Sequence, residues 1–166
     1  MKKRLFIVCM SFVWTIALMA QQIAVVSGET THMYKTLQAA IDGAAPGSVI
    51  YLPGGGFPIS NEVKITKKLT IIGIGHKAKT DNADGVTTIG GDFFFNQGSS
   101  GSAVMGCYIT GDIIIGDDGA SVNDILIKYC NVNSVQVKNI TCQETVVNQN
   151  YIRTNTTVPL RFEVSK

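Results

Sequence analysis

The distribution of apolar residues predicts one helix early in the chain and a series of short strands after it. Residues 34–45 place apolar side chains on one helical face, at Leu37, Ala40, Ile41 and Ala44. Pro46 and Gly47 then end this pattern. From residue 49 onward the apolar runs are short and are interrupted by Gly, Asn, Asp and Ser, which is typical of brief strands joined by tight turns.

A motif that recurs after twenty residues indicates how these strands are arranged. Residues 89–95 read IGGDFFF, and residues 109–115 read ITGDIII. A second pattern, an apolar residue followed by Cys or Asn and then an aliphatic residue, occurs in 104–109, 127–132 and 147–152. A steady period near twenty residues predicts a parallel β-solenoid, in which each repeat stacks on the last about 4.8 Å away.

Stacked repeats predict rows of equivalent side chains. We expect three apolar rows in the core: Ile89, Ile109, Val132 and Ile152; Val104, Ile127 and Val147; and Phe93, Ile113, Val135 and Val158. A further row, Cys107, Cys130 and Asn150, is predicted at a bend, where Asn tolerates the left-handed backbone region. A disulfide between Cys107 and Cys130 across adjacent repeats is geometrically conceivable and is left open. With Cys142 these are three cysteines, an odd number that cannot form a closed disulfide framework.

The first residues have the form of an export signal. Lys2, Lys3 and Arg4 precede an uncharged apolar run that ends near Ala20. We therefore predict a signal peptide over 1–20, a linker over 21–33 and one domain over 34–166. The run is shorter than the roughly 20 apolar residues of a membrane anchor, so we expect no stable membrane span after cleavage. The expected location is the bacterial cell surface, the periplasm or the extracellular space.

Two sequence segments resemble segments of the pectin-lyase-like family. They are YKTLQAAIDGAAPGSVIYLPGGGF, which begins at residue 34, and ITKKLTIIGIG, which begins at residue 65. The resemblance implies an all-β, right-handed parallel β-helix of about five or six coils, capped at its N-terminal end by the helix at 34–45. The family includes lyases, glycosidases, esterases and adhesins, so its fold does not specify an activity. The last residues read as an uncapped strand, and we expect either a truncated β-helix or an open end that joins a partner.

The repeated aspartates are the weak candidates for catalysis. Asp92 and Asp112 hold the same place in successive repeats, so their carboxylates are expected roughly 5 Å apart. Such a pair could perform glycoside chemistry or bind Ca²⁺. No cation motif accompanies them, however, and we predict no metal site and no cofactor. The favoured interpretation is that each Gly-Asp makes a turn in which Asp bonds the following amides.

A lateral face offers better candidates for binding. By strand alternation, two sets of side chains should point outward: Tyr108, Asn131 and Tyr151, and two residues later Thr110, Asn133 and Arg153. Flat rings and amides of this kind suit sugar stacking and hydroxyl recognition. An ordinary polar exterior with β-favouring residues would have the same composition and stays an alternative.

These observations lead to three hypotheses about function. The first is an exported, non-catalytic module that contacts polysaccharide. The second is a polysaccharide lyase or glycoside hydrolase whose active site is weak or missing, and the third is a structural or adhesive solenoid. A nucleic-acid partner is not expected, because the net charge is only +2 and no basic cluster follows the leader.

Overall fold

The computed structural model describes residues 22–76, 85–139, 141–142, 144–153 and 160–162. These residues contain one helix, α1 (Leu37–Gly43), and fifteen strands. The strands are β1 (Ile23–Ser27), β2 (Thr30–Tyr34), β3 (Val49–Leu52), β4 (Gly55–Ile65), β5 (Thr70–Gly73), β6 (Thr87–Phe95), β7 (Ala103–Met105), β8 (Tyr108–Ile109), β9 (Ile113–Ile115), β10 (Leu126–Lys128), β11 (Asn131–Val132), β12 (Val135–Val137), β13 (Val146–Asn148), β14 (Tyr151–Ile152) and β15 (Leu160–Phe162). The predicted signal peptide, residues 1–20, lies outside the described part of the chain.

The strands form two sheets. Sheet 1 has the order β13-β10-β7-β5-β3-β1-β2 and is mixed, because β1 pairs antiparallel with both β2 and β3 while the remaining pairs are parallel. Sheet 2 has the order β14-β11-β8-β6-β9-β12-β15, with β4 also pairing to β6, and all its pairs are parallel. Strand β6 is long enough to pair with β8 and β9 in succession.

The prediction of a right-handed parallel β-helix is wrong. The described residues form one mixed sheet and one parallel sheet, and they do not close into a solenoid. The twenty-residue repeat begins only near residue 89, and the prediction extended the solenoid back to residue 34. Strands β3 and β5 do pair in parallel there, but β3 also pairs antiparallel with β1. Residues 21–33, assigned to a linker, include β1 and most of β2, whose antiparallel pairing no solenoid repeat would contain. Because the described residues do not form a solenoid, the predicted role of the helix as a solenoid cap is also wrong.

Within the repeated region, the predicted row of large apolar side chains is confirmed in three of its four positions. Phe93 lies opposite Ile113, and Ile113 lies opposite Val135, in parallel register. The fourth position belongs to Leu160, which lies opposite Val135. Val158, predicted for that position, lies outside the described residues.

The other two rows have the same parallel arrangement. Val104, Ile127 and Val147 are in register across sheet 1. Sheet 2 pairs Ile89 with Ile109 and Val132 with Ile152. The inward side chains of both sheets belong to one hydrophobic core. A repeat of one side-chain shape therefore specifies neighbouring strands even though the overall fold is not a solenoid.

The predicted helix is present but shorter than 34–45. Thr36 caps its N-terminus, since its hydroxyl accepts a hydrogen bond from the Ala39 amide at 3.2 Å. Its buried face, Leu37, Ala40 and Ile41, packs against β1, β2 and β4. No helix among the described residues has the length and hydrophobicity that a membrane span requires.

Candidate ligand-binding face

Four side chains stand in one row on the outer face of sheet 2. Thr88, Tyr108, Asn131 and Tyr151 are in register on β6, β8, β11 and β14. Alternation along each strand sets this direction, because the neighbouring Ile89, Ile109 and Val132 point inward and are fully buried. We call these four residues the tyrosine row. Tyr151 is its most accessible member, with 62% of the residue exposed.

The Arg153 guanidinium contacts the Tyr108 side chain across an intervening repeat. Its guanidinium carbon lies 4.3 Å from the centroid of the Tyr108 ring, and Nη1 donates a hydrogen bond to the Tyr108 hydroxyl. Nη2 donates to the carbonyl of Ile109. One face of the Tyr108 ring is therefore covered by a cation, and Arg153, a predicted ligand-binding residue, already has partners within the protein.

Thr110 and Asn133 likewise form side-chain hydrogen bonds with other residues of the protein. The Thr110 hydroxyl accepts a hydrogen bond from the Gly91 amide at 3.1 Å. Asn133 Nδ2 donates to Asp112 Oδ1 at 2.7 Å. Of the six predicted binding residues, the structure therefore leaves Tyr151 as the clearly exposed ring. Oδ1 of Asn131, next to it in the row, is buried without a hydrogen-bond partner.

The two aspartates are linked by hydrogen bonds that run from one repeat to the next. Asp92 Oδ1 accepts from the Asp112 amide at 2.8 Å. Asp112 in turn accepts from Asn133 through Oδ1 and from Gln136 Nε2 through Oδ2, the latter at 3.0 Å. The carboxylates therefore accept hydrogen bonds from the next repeat, whereas the turn interpretation of Gly-Asp expected bonds to the directly following backbone amides.

Sequence reasoning missed an acidic neighbour of Asp92. Glu62 lies opposite Asp92 on β4, after a register shift between Pro58 and Glu62. It forms an ion pair with Lys64 at 2.6 Å, and the hydrogen bond from this pair raises the pKa of Lys64. In the described parts of the chain, His, Cys, Asp and Glu side chains nowhere gather in a group of three that could hold a metal ion.

Two of the three described cysteines, Cys107 and Cys130, lie at the predicted bend. Cys107, Cys130 and Cys142 are free, and the first two are fully buried. Burial strongly raises the pKa of Cys107 and raises the pKa of Cys130 to about 11. Both are therefore thiols at neutral pH, a form that is neither a nucleophile nor a metal ligand.

Asn150 continues this row by side-chain hydrogen bonds. Its Oδ1 accepts from the Cys130 amide and its Nδ2 donates to the Ile127 carbonyl, both at 2.8 Å. The left-handed backbone conformation, predicted for the Asn of this row, occurs one residue earlier, at Gly106, Tyr129 and Gln149. The bend is the predicted one, but Asn150 stabilises it through its side chain.

Comparison with known proteins finds no matching family model, and no curated protein or solved structure with significant similarity. The resemblance to pectin-lyase-like proteins thus stays a prediction from the two quoted phrases.

Proposed function

We propose that this chain is an exported, non-catalytic module that contacts polysaccharide through the tyrosine row. The observation that carries the proposal is the exposed ring of Tyr151 in register with Asn131 and Tyr108. Adjacent strands are about 4.8 Å apart, so the two tyrosines stand about 9.6 Å apart along one line. A glycan lying across the strands would meet both rings.

The two tyrosines of the row and the neighbouring Arg153 would have distinct tasks. The free ring of Tyr151 would stack on the apolar face of a sugar, as aromatic side chains do in carbohydrate sites. Tyr108 would be held in one orientation by Arg153, which reduces the conformational entropy lost on binding. The guanidinium beside Tyr108 would favour a polymer with acidic groups over a neutral one.

Glycoside chemistry at Asp92 and Asp112 has less support. A general acid or a nucleophile must be free to reach the scissile bond. Here Asp92 accepts from a backbone amide, and both Asp112 oxygens accept from side-chain amides. A structural or adhesive role remains compatible with the same face, and the binding experiment separates it from the proposal.

We expect Tyr151→Ala to weaken binding to polysaccharide at least tenfold, since about 1.4 kcal/mol of stacking energy corresponds to that factor. The measurement is affinity electrophoresis or calorimetry with acidic and neutral plant and bacterial polysaccharides. Tyr51→Ala is the matched control, because Tyr51 is 47% exposed but lies on β3 of sheet 1. Equal affinities for the wild type and both variants, or an equal loss in both variants, would refute the proposal.

A further inference from the structure

Tyr129 holds a backbone conformation that tyrosine rarely adopts. It lies at the bend between β10 and β11, and its φ of 53° is in the left-handed region. This region costs free energy for a residue with a large side chain and almost none for glycine. The equivalent bends of the repeats before and after it place Gly106 and Gln149 in the same region. The bend itself therefore does not require an aromatic residue.

The Tyr129 ring also lies outside the hydrophobic core. The residue is 45% exposed, whereas Cys130, which follows it, is fully buried. Asn131, one residue further, belongs to the tyrosine row, and two residues of chain span at most about 7 Å. Tyr129 therefore borders the tyrosine row where the chain passes from sheet 1 to sheet 2. Neither the bend nor the core accounts for a tyrosine at this position.

The next repeat holds the bend around Tyr129 in place. Asn150 accepts from the Cys130 amide through Oδ1 and donates to the Ile127 carbonyl through Nδ2, so its side chain bridges the backbone on both sides of Tyr129. The Tyr129 amide also donates to the Asn148 carbonyl at 3.4 Å. Strained residues persist where their surroundings fix them, and they concentrate at binding and active sites. The ring is thus presented in one backbone conformation before any ligand binds.

A cation lies beside this ring. Nζ of Lys128 is 4.7 Å from the centroid of the Tyr129 ring, which repeats the combination of Arg153 with Tyr108. Three segments of successive repeats form this part of the surface: residues 103–111, 126–133 and 146–153. They contain these two cations and no Asp or Glu. Such a local excess of positive charge favours a ligand with acidic groups.

We propose that Tyr129 and Lys128 form a second contact site for the polysaccharide, which we call the bend subsite. The inference rests on the proposed function, because the bend subsite borders the tyrosine row. A sugar ring would stack on Tyr129, and an acidic group of the polymer would pair with the Lys128 ammonium. The polymer would then contact sheet 2 through the tyrosine row and sheet 1 through Lys128 on β10.

The test is calorimetric titration with alginate, an acidic polysaccharide, combined with urea unfolding. We expect Tyr129→Gly to weaken alginate binding about fivefold. Its midpoint of urea unfolding should equal or exceed that of the wild type, because glycine relieves the left-handed strain. Gln149→Gly is the matched control, since it makes the same change at the equivalent bend, where the side chain has no ring. Its affinity should stay within about twofold of the wild type.

The charge of the bend subsite is tested by Lys128→Gln, which should weaken alginate binding and reduce its dependence on salt. If Tyr151→Ala weakens binding while Tyr129→Gly or Lys128→Gln retains the full affinity, the bend subsite is wrong and the proposed function stands. An equal loss in Gln149→Gly, or a lower urea midpoint in Tyr129→Gly, would also overturn the bend subsite. A wild type that does not bind alginate would overturn both.

Discussion

Replacing Phe93 with alanine is expected to lower the free energy of unfolding by about 4 kcal/mol. Phe93 is fully buried on β6, between Val63 of β4 and Ile113 of β9, which are also fully buried. Removing the ring leaves a cavity between two strands that pair with β6 on opposite sides, and backbone hydrogen bonds keep these strands from closing over it. Urea denaturation followed by circular dichroism measures the loss.

The control for this substitution is the next residue along the strand. Phe94 points outward and is only partly buried, beside Lys64 and Ile114 in register. Phe94→Ala should cost about 1 kcal/mol. If Phe94→Ala destabilised the protein as much as Phe93→Ala, the inward and outward assignments along β6 would be reversed or absent.

A second large loss of stability is expected for Gly111→Ala, about 3 kcal/mol. A Cβ at this position would collide with Asp92 Oδ1 and would lie 2.5 Å from the Gly91 carbonyl oxygen. The Asp92 carboxylate occupies that space because it accepts the Asp112 amide hydrogen bond. Relief of the collision would therefore require breaking the bond that links the two repeats.

Gly56→Ala tests whether the loss at position 111 comes from this close approach. Gly56 lies in β4, and nothing stands within 4 Å of the Cβ that alanine would add. Its stability should change by less than about 0.5 kcal/mol. The same urea titration serves both variants, and a Gly111→Ala protein as stable as Gly56→Ala would contradict the hydrogen-bonded arrangement of Asp92.

The part of the fold that could be predicted is the part in which the sequence repeats. Phe93 and Ile113 occupy equivalent positions twenty residues apart, and parallel pairing is the arrangement that brings such positions together. The helical face at 37–41 could be predicted for a similar reason, because the spacing of its apolar residues matches the period of an α-helix. Both signals depend on side chains that are buried.

The outer strand β2 carried no such signal. Residues 30–33 of β2 are all exposed, because an outer strand needs little burial once its backbone is paired. Its sequence, TTHMY, therefore has no apolar period, and its first four residues were assigned to a linker. The antiparallel pairing that makes sheet 1 mixed could not be inferred from a repeat that starts later in the chain.

The candidate site could be predicted only in outline. Strand alternation placed Tyr108 and Arg153 on the outer face. It could not show that these two side chains, 45 residues apart in the sequence, form a hydrogen bond with each other. The register of Glu62 with Asp92 was hidden by the shift in β4. Contacts between outward side chains depend on rotamers and irregularities, and these leave no period in the sequence.

The account rests on parallel pairing of equivalent positions in successive repeats, and backbone nuclear Overhauser effects test this most directly. In a parallel pair, the Hα and amide protons of neighbouring strands are close, whereas close Hα–Hα contacts mark antiparallel pairs. We expect Hα–amide effects that connect residues 93–95 with 113–115, and 113–115 with 135–137. Hα–Hα effects between 93–95 and 113–115, or no effects connecting these two segments, would contradict the account.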